Sequence, residues 1–367
     1  MTQPPLLIVT TRLPPRVCGI GTYSWLLHRH WPDENSHARF LVVDGATESA
    51  TDLKYSSISE FNAEPSQLAT ILDRAGTAHL LLHYAGRAYH RYGCPLWLPR
   101  VLRDWKAKFP TSRSVIFFHE LPGNNFPVSS RFFWIDKCNR RVVYQLTQLA
   151  DAIATNTRKH IETIENISRR NDVHFIPVGS NIEPFENWSA ERGRSEFAIF
   201  GLPFGRWQTL EMFEPEVRQW QRTGRLTKLH LIGPRDEKFD QRCDRLIEGL
   251  PTPAAIVRHG LLASNEVSQL LGRIQCGLTN VTAENWSKST TFMAYAAHDC
   301  AVIGKVKSET VPLNLVISPE ELPKISDDDL GKRGAALRRW YRDNADWSAI
   351  AKQIAGLFAG RGEKVAS

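Results

Sequence analysis

The feature that most constrains this chain is a rhythm of short apolar runs alternating with amphipathic stretches, set out once before residue 180 and again after it. In the first half Leu6–Thr10, Phe40–Val43, Ala78–His83, Ser114–Phe118 and Ala152–Thr155 read as strands. Between them Gly21–His30, Pro95–Lys108, Phe132–Leu149 and Thr157–Asn166 read as helices; Leu96, Trp97, Val101, Leu102 and Trp105, for example, recur at helical spacing. A short strand from Val173 then meets Pro177 and Gly179, and a polar stretch runs on to Arg194. The second half repeats the pattern. Phe197–Phe200, Lys228–Ile232, Ala255–Arg258, Cys276–Leu278 and Ala301–Ile303 are strand candidates, with helices over Thr209–Thr223, Asp236–Glu248, Ser264–Arg273 and Thr290–His298. Asp328–Arg342 and Trp347–Phe358 close the chain as two further helices. Strand–helix alternation of this kind builds parallel sheets covered on both faces, and its recurrence predicts two doubly wound α/β domains. The expected division is 1–182, 183–345 and a last helix, 346–367, packing back on the first domain.

Composition agrees with this and narrows the classes. At 367 residues, 42% hydrophobic and 23% charged, the chain suits two ordinary globular cores. No apolar run approaches the roughly 20 residues a membrane-spanning helix needs. The amino-terminal segment lacks a basic region and a cleavage site, so its apolar run is expected to be a strand and the protein cytoplasmic. Six scattered cysteines with no C-x-x-C pair match neither a zinc nor a disulfide framework. The net charge of +7 is consistent with a solvated basic surface, a phosphorylated small molecule or peripheral contact with an anionic membrane face. No nucleic-acid module is visible, so nucleic acid is not an expected partner.

Ligands of open α/β sheets bind beyond the carboxyl ends of strands, where helix N-termini offer N–H groups and positive partial charge. Four segments occupy such positions. In Leu13–Thr22, Gly19 and Gly21 let backbone approach a phosphate or sugar, although a tight strand–helix turn explains them equally. His119 and Glu120 end the third long strand, where a polar pair can reach a ligand or simply cap the strand. Arg206 follows the first strand of the second half, placed to clamp a diphosphate or to sit on the surface. In Asn280–Thr291, Glu284 can hold ribose hydroxyls, while Lys288, Ser289 and Thr290 suit a diphosphate at a helix start. An ordinary N-cap explains Ser289 but not its charged neighbours.

These pieces together resemble a GT-B glycosyltransferase, closest to the large retaining group called glycosyltransferase family 4. Cys18-Gly-Ile-Gly-Thr-Tyr-Ser24 resembles that family's glycine loop, Phe117-Phe-His-Glu120 its histidine-bearing strand end, and Phe175-Ile-Pro-Val-Gly-Ser-Asn181 its interdomain linker. Val257–Leu271 and Glu284–Ile303 resemble its donor-binding stretch. The resemblance implies two Rossmann-like domains facing across a cleft. It also implies that Gly19 and Gly21 line the cleft, His119 faces the transferred sugar, Arg206 the diphosphate and Glu284 the ribose. The chain departs from the family where a second glutamate is usual, since Phe292 or Ala294 stands there, and where a second basic residue is usual, since Met212 stands there. Lys288 is the replacement charge, and Ser287-Lys-Ser-x-x-Phe-x-Ala-Tyr295 resembles a divergent subgroup.

The expected activity is transfer of a sugar from a nucleoside-diphosphate sugar to a carbohydrate, lipid-linked or other hydroxyl acceptor, in polysaccharide or glycoconjugate synthesis. Arg206 and Lys288 would stabilise the leaving diphosphate beside His119. Gly19, Gly21, Glu284, Ser289 and Thr290 would hold the donor, and Thr22, Glu120 and Tyr84 would lie on the acceptor side. No Asp-x-Asp motif is present, so neither a metal nor a cofactor beyond the donor itself is expected. A catalytically inactive scaffold of the same fold, in a polysaccharide assembly system, is the alternative that the missing glutamate favours.

Overall fold

Strands buried on both faces carry near-continuous apolar runs, and in the computed structural model these runs build two wholly parallel sheets. Residues 4–14, 16, 18–32, 38–43, 57–123, 127–185, 193–306 and 308–359 are described. Residues 15 and 17 of the glycine loop, 124–126 of the loop after Glu120 and 186–192 of the polar stretch lie outside them. The chain divides into two units, Met1–Pro177 with Trp347–Ser367, and Val178–Asp346.

The first unit runs β1 (Leu6–Thr10), α1 (Gly19–Arg29), β2 (Ala38–Val43), β3 (Ser57–Phe61), α2 (Pro65–Ala75), β4 (His79–Tyr84) and α3 (Gly86–Tyr89). It continues through α4 (Leu98–Lys108), β5 (Arg113–Phe118), α5 (Arg131–Leu149), β6 (Ala152–Thr155), α6 (Arg158–Ser168) and β7 (Val173–Phe175). The sheet order is β3-β2-β1-β4-β5-β6-β7. Ile8 pairs with Phe40 on one side and Leu81 on the other, all three fully buried. Three consecutive strands thus run outward from β1 before the chain returns to place β4 on its far side. That reversal lies between β1 and β4.

The second unit runs β8 (Gly193–Phe200), α7 (Pro203–Arg222), β9 (Lys228–Ile232), α8 (Glu237–Glu248), β10 (Ile256–Gly260) and α9 (Ser264–Arg273). Then come β11 (Ile274–Thr279), α10 (Thr290–Ala297), β12 (Ala301–Gly304) and α11 (Asp327–Asn344). Its sheet order, β10-β9-β8-β11-β12, repeats the same plan, with the reversal between β8 and β11. One face of this sheet packs Phe197, Ile199, Leu229 and Leu231 against Leu210, Phe213, Val217 and Trp220 of α7. On the other, Gly277 of β11 leaves room for Tyr295, whose ring would lie 2.5 Å from a Cβ there. The Tyr295 hydroxyl donates to the Ala198 carbonyl at 3.1 Å, tying α10 to the sheet centre.

The last helix, α12 (Trp347–Ala359), returns to the first unit and packs on α1 and β5. Trp347 meets Tyr23 edge-on at 5.0 Å between ring centres, and Phe358 stacks on His79 at 5.2 Å. Arg113 Nη1 donates to the Phe358 carbonyl at 2.7 Å, capping a carbonyl of the helix's last turn.

Candidate functional site

Both reversals of strand order are places where two loops diverge and a ligand can enter. The two are furnished very differently.

In the first unit the α1 side of the opening is locked. The Thr10 and Ser24 hydroxyls hydrogen-bond at 2.6 Å, and both residues are fully buried. A Cβ on Gly21 would lie 1.7 Å from the Arg12 carbonyl oxygen, so this glycine is spent on its own loop rather than on a ligand. Gly19, the first residue of α1, has open space where a side chain would be, and Thr22 is half-buried with its N–H bonded to the Cys18 carbonyl.

His119 corrects the expectation of an open catalytic side chain. It is 7% exposed, stacked on Phe117 at 4.6 Å, and its Nε2 shares a 2.9 Å hydrogen bond with Nδ1 of His83. Alternation along β4 turns His83 into the same face, where burial pushes its pKa down to about 3 and keeps it neutral. The Nε2 of His83 and the hydroxyl of Tyr23 are buried without a hydrogen-bond partner among the described residues. Tyr84, expected near an acceptor, instead packs in the core against Tyr89 and Phe118, because as the last residue of β4 it faces opposite to His83. Glu120 is exposed just past β5.

In the second unit the strand ends are chained together through glycines. The N–H of Gly201 donates to the Ile232 carbonyl, and that of Gly233 to the Gly260 carbonyl, each at 3.0 Å. Gly201 and Gly233 hold φ of +134° and +135°, conformations that side chains resist. A Cβ on Gly233 would lie 2.1 Å from the Gly201 oxygen and 2.4 Å from Arg206 Nη1. Arg206, expected to clamp a diphosphate, is here engaged with backbone carbonyls. α7 begins at Pro203, ahead of the expected Thr209, so Arg206 sits in its first turn and points back over the strand ends. There Nη1 donates to the Gly201 carbonyl at 2.7 Å and Nη2 to the Pro234 carbonyl at 2.6 Å, with the residue 6% exposed. It clasps two loops.

The loop after β11 is the open, polar one. Thr282 and Asn285 close a turn through the Thr282 N–H and Asn285 Oδ1 at 2.8 Å. A 3₁₀ turn over Trp286–Lys288 follows, wedged by Trp286 against Phe292 and Trp340. Glu284 and Lys288 are exposed on this framework. Ser289 caps α10, its hydroxyl accepting from the Phe292 N–H at 3.1 Å. Its own N–H donates to the Trp286 carbonyl, so the Ser289 N–H is not the anion donor expected. The first-turn N–H groups without an acceptor inside the helix are those of Thr290 and Thr291. A Cβ on Gly201 would lie 3.0 Å from the Thr291 hydroxyl, so the β8 loop and the start of α10 form the two sides of this opening. Thr291 ended the Asn280–Thr291 segment singled out from the sequence; its pairing with Gly201 follows only from the strand order. Among the described residues no cluster of His, Cys, Asp or Glu could hold a metal ion.

No family model matches this chain, and no curated protein matches it. Solved structures do resemble it. The trehalose-6-phosphate phosphatase N-terminal domain of Candida albicans superposes with a TM-score of 0.67 at 13% identity, over 98% of this chain and 97% of that one. Sucrose-phosphate synthase from Thermosynechococcus elongatus gives 0.65 at 13% identity, over 97% and 98%. A UDP-forming α,α-trehalose-phosphate synthase from Burkholderia xenovorans, in complex with glucose-6-phosphate, gives 0.64 at 10% identity, over 97% and 100%. At these identities the likeness establishes the fold: GT-B, with two Rossmann-like domains.

Proposed function

We propose that the chain is a glycosyltransferase that takes a sugar from a nucleoside-diphosphate sugar, with the donor's diphosphate at the β8/β11 opening. The observation that carries this is that one loop after β11 bears the exposed Glu284 and Lys288 and leads directly into the start of α10. The helix N-terminus supplies two N–H groups that have no acceptor within the helix and a positive partial charge, and Lys288 adds a full one. Glu284, four residues earlier, is suited to ribose hydroxyls as an acceptor. Likeness to a UDP-forming synthase over nearly the whole chain supports this reading.

In the reaction the bond from the sugar's anomeric carbon to the diphosphate oxygen breaks, and one to an acceptor oxygen forms as that hydroxyl loses its proton. Negative charge grows on the leaving diphosphate, where Lys288 and the Thr290 and Thr291 N–H groups stabilise it. This protein-borne charge does what a divalent ion would otherwise do, so we propose a metal-independent reaction serving polysaccharide or glycoconjugate synthesis. Thr22 and Glu120, in the first unit, remain the proposed acceptor-side residues.

Calorimetric titration with UDP and with pyrophosphate tests the site. Lys288→Ala should weaken both by about one to two decades, the worth of a charge-assisted hydrogen bond of roughly 1.5–3 kcal/mol. Glu284→Gln should weaken UDP and leave pyrophosphate nearly unchanged. Variants that bind like wild type would move the donor elsewhere. The buried His119 and the backbone-bound Arg206 favour a second reading, a binding or scaffold protein without turnover. UDP binding without hydrolysis or transfer from any of a panel of nucleotide sugars would select it.

A further inference from the structure

The face of the first unit formed by α5 and the turn before α4 leaves large apolar side chains in solvent beside cations. Along α5 the exposed positions Trp134, Lys137, Arg141 and Tyr144 recur every three or four residues and form one stripe, while Val142, Val143 and Leu146 turn into the core. Trp134 is 62% exposed and Val128, just ahead of the helix, 63%. Cations accompany the rings. The Arg131 guanidinium lies 5.0 Å from the Phe132 ring centre, Lys137 Nζ 5.2 Å from that of Phe133, and the Arg91 guanidinium 4.5 Å from that of Tyr92. The turn carrying Tyr92 and Leu96, both exposed, adjoins the same helix: a Cβ on Gly93 would lie 3.5 Å from Asn139 Nδ2. Asp136 is the one acidic residue of α5, and Arg140 takes it at 2.8 Å. The helix itself therefore offers Lys137 and Arg141 no further carboxylate.

We infer that this face docks the protein on an anionic phospholipid surface. Exposed tryptophan and phenylalanine gain most at the depth of lipid headgroups, and lysine and arginine beside them meet lipid phosphates. No helix among the described residues is long and apolar enough to cross a membrane, so the contact is peripheral. A nucleic-acid strand would also value rings and cations, but the exposed aliphatic Val128, just ahead of α5, offers bases no stacking surface. Lipid accounts for both kinds of side chain. This face belongs to the first unit and uses none of the donor residues, so vesicle binding and UDP binding succeed or fail separately.

The experiment is co-sedimentation of the full chain with phosphatidylcholine vesicles and with vesicles containing equal phosphatidylglycerol, at physiological ionic strength. Wild type should partition at least about tenfold more strongly onto the anionic vesicles. Lys137→Gln combined with Arg141→Gln should lower that partition by about twenty-five-fold, at fivefold per basic residue. Trp134→Ser should lower it severalfold at unchanged thermal midpoint. Arg91→Gln with Tyr92→Ser, on the neighbouring turn, gives an independent second probe should an α5 variant fail to fold. Equal binding to both vesicle types, no binding, or variants that sediment like wild type would each overturn the proposal. So would a single-stranded RNA that displaces the protein from vesicles in a Trp134-dependent way, which would make this a nucleic-acid surface.

Discussion

The two sheets follow one winding plan, yet their reversal points have opposite characters. At β1/β4 the polar groups turn inward: Thr10 to Ser24, His119 to His83, with Tyr23 packed across both histidines. At β8/β11 the backbone is just as tightly fixed, but the charged side chains of Glu284 and Lys288 turn outward. The difference teaches that a strand-end position grants a residue opportunity, not direction. A tightly bonded backbone is common to the two openings; exposed charge is not.

Mutation can break this comparison at its strongest shared element. Gly21→Ala and Gly233→Ala should each cost about 4 kcal/mol or more, because each inserts a methyl group against a backbone carbonyl and Gly233 also holds a positive φ. Denaturant unfolding should show the loss in the transition of the unit concerned, and two single-phase losses spread over both units would contradict separate locking. Next in size is Arg206→Met, which strips two carbonyls of a charged donor; we expect about 3 kcal/mol in unfolding of the second unit. A large loss of UDP affinity at unchanged stability would instead restore Arg206 to the donor site.

The histidine pair sharpens the contrast through pH. The pKa of His83 in the folded chain, about 3, lies below the ordinary value near 6.5, so the unfolded chain binds the extra proton between the two. Its contribution is whole above pH ~6.5 and falls by roughly 1.4 kcal/mol per unit as pH drops toward 3. Unfolding of wild type and His83→Gln across that window should show a shallower slope in the variant. Smallest in stability is Lys288→Ala, exposed and expected to change unfolding by less than about 0.5 kcal/mol while cutting UDP affinity. A stability loss comparable to that of Arg206→Met would mean Lys288 is structural too.

The fold was largely legible because its strands are buried on both faces and read as apolar runs; Leu6–Thr10, Ala152–Thr155 and Lys228–Ile232 match strands residue for residue. β3 and α2 escaped notice. Ser57–Phe61 is an edge strand with mixed polarity, and Pro65–Ala75 fully buries just Leu68 and Leu72. Where the strands end, and so where the candidate loops lie, was also legible from the rhythm. Side-chain direction was not. Arg206 depended on a helix starting six residues early, His119 on a histidine thirty-six residues away in β4, and Tyr84 on the parity of its strand. Such facts are set by tertiary register, which no single segment encodes.

The return of α12 to the first unit has a consequence for how the protein is made. Tyr23, His79 and Arg113 emerge early from the ribosome, but Trp347 and Phe358, which cover them, are translated only after the whole of Val178–Asp346. At ordinary elongation rates that interval is on the order of ten seconds. During it the first unit waits with the α12-facing side of α1 and β5 bare, while the second unit has its full sequence and is free to fold. The unit begun first is thus the one completed last, and a nascent chain stalled before Trp347 should carry a finished second unit beside a protease-sensitive first one.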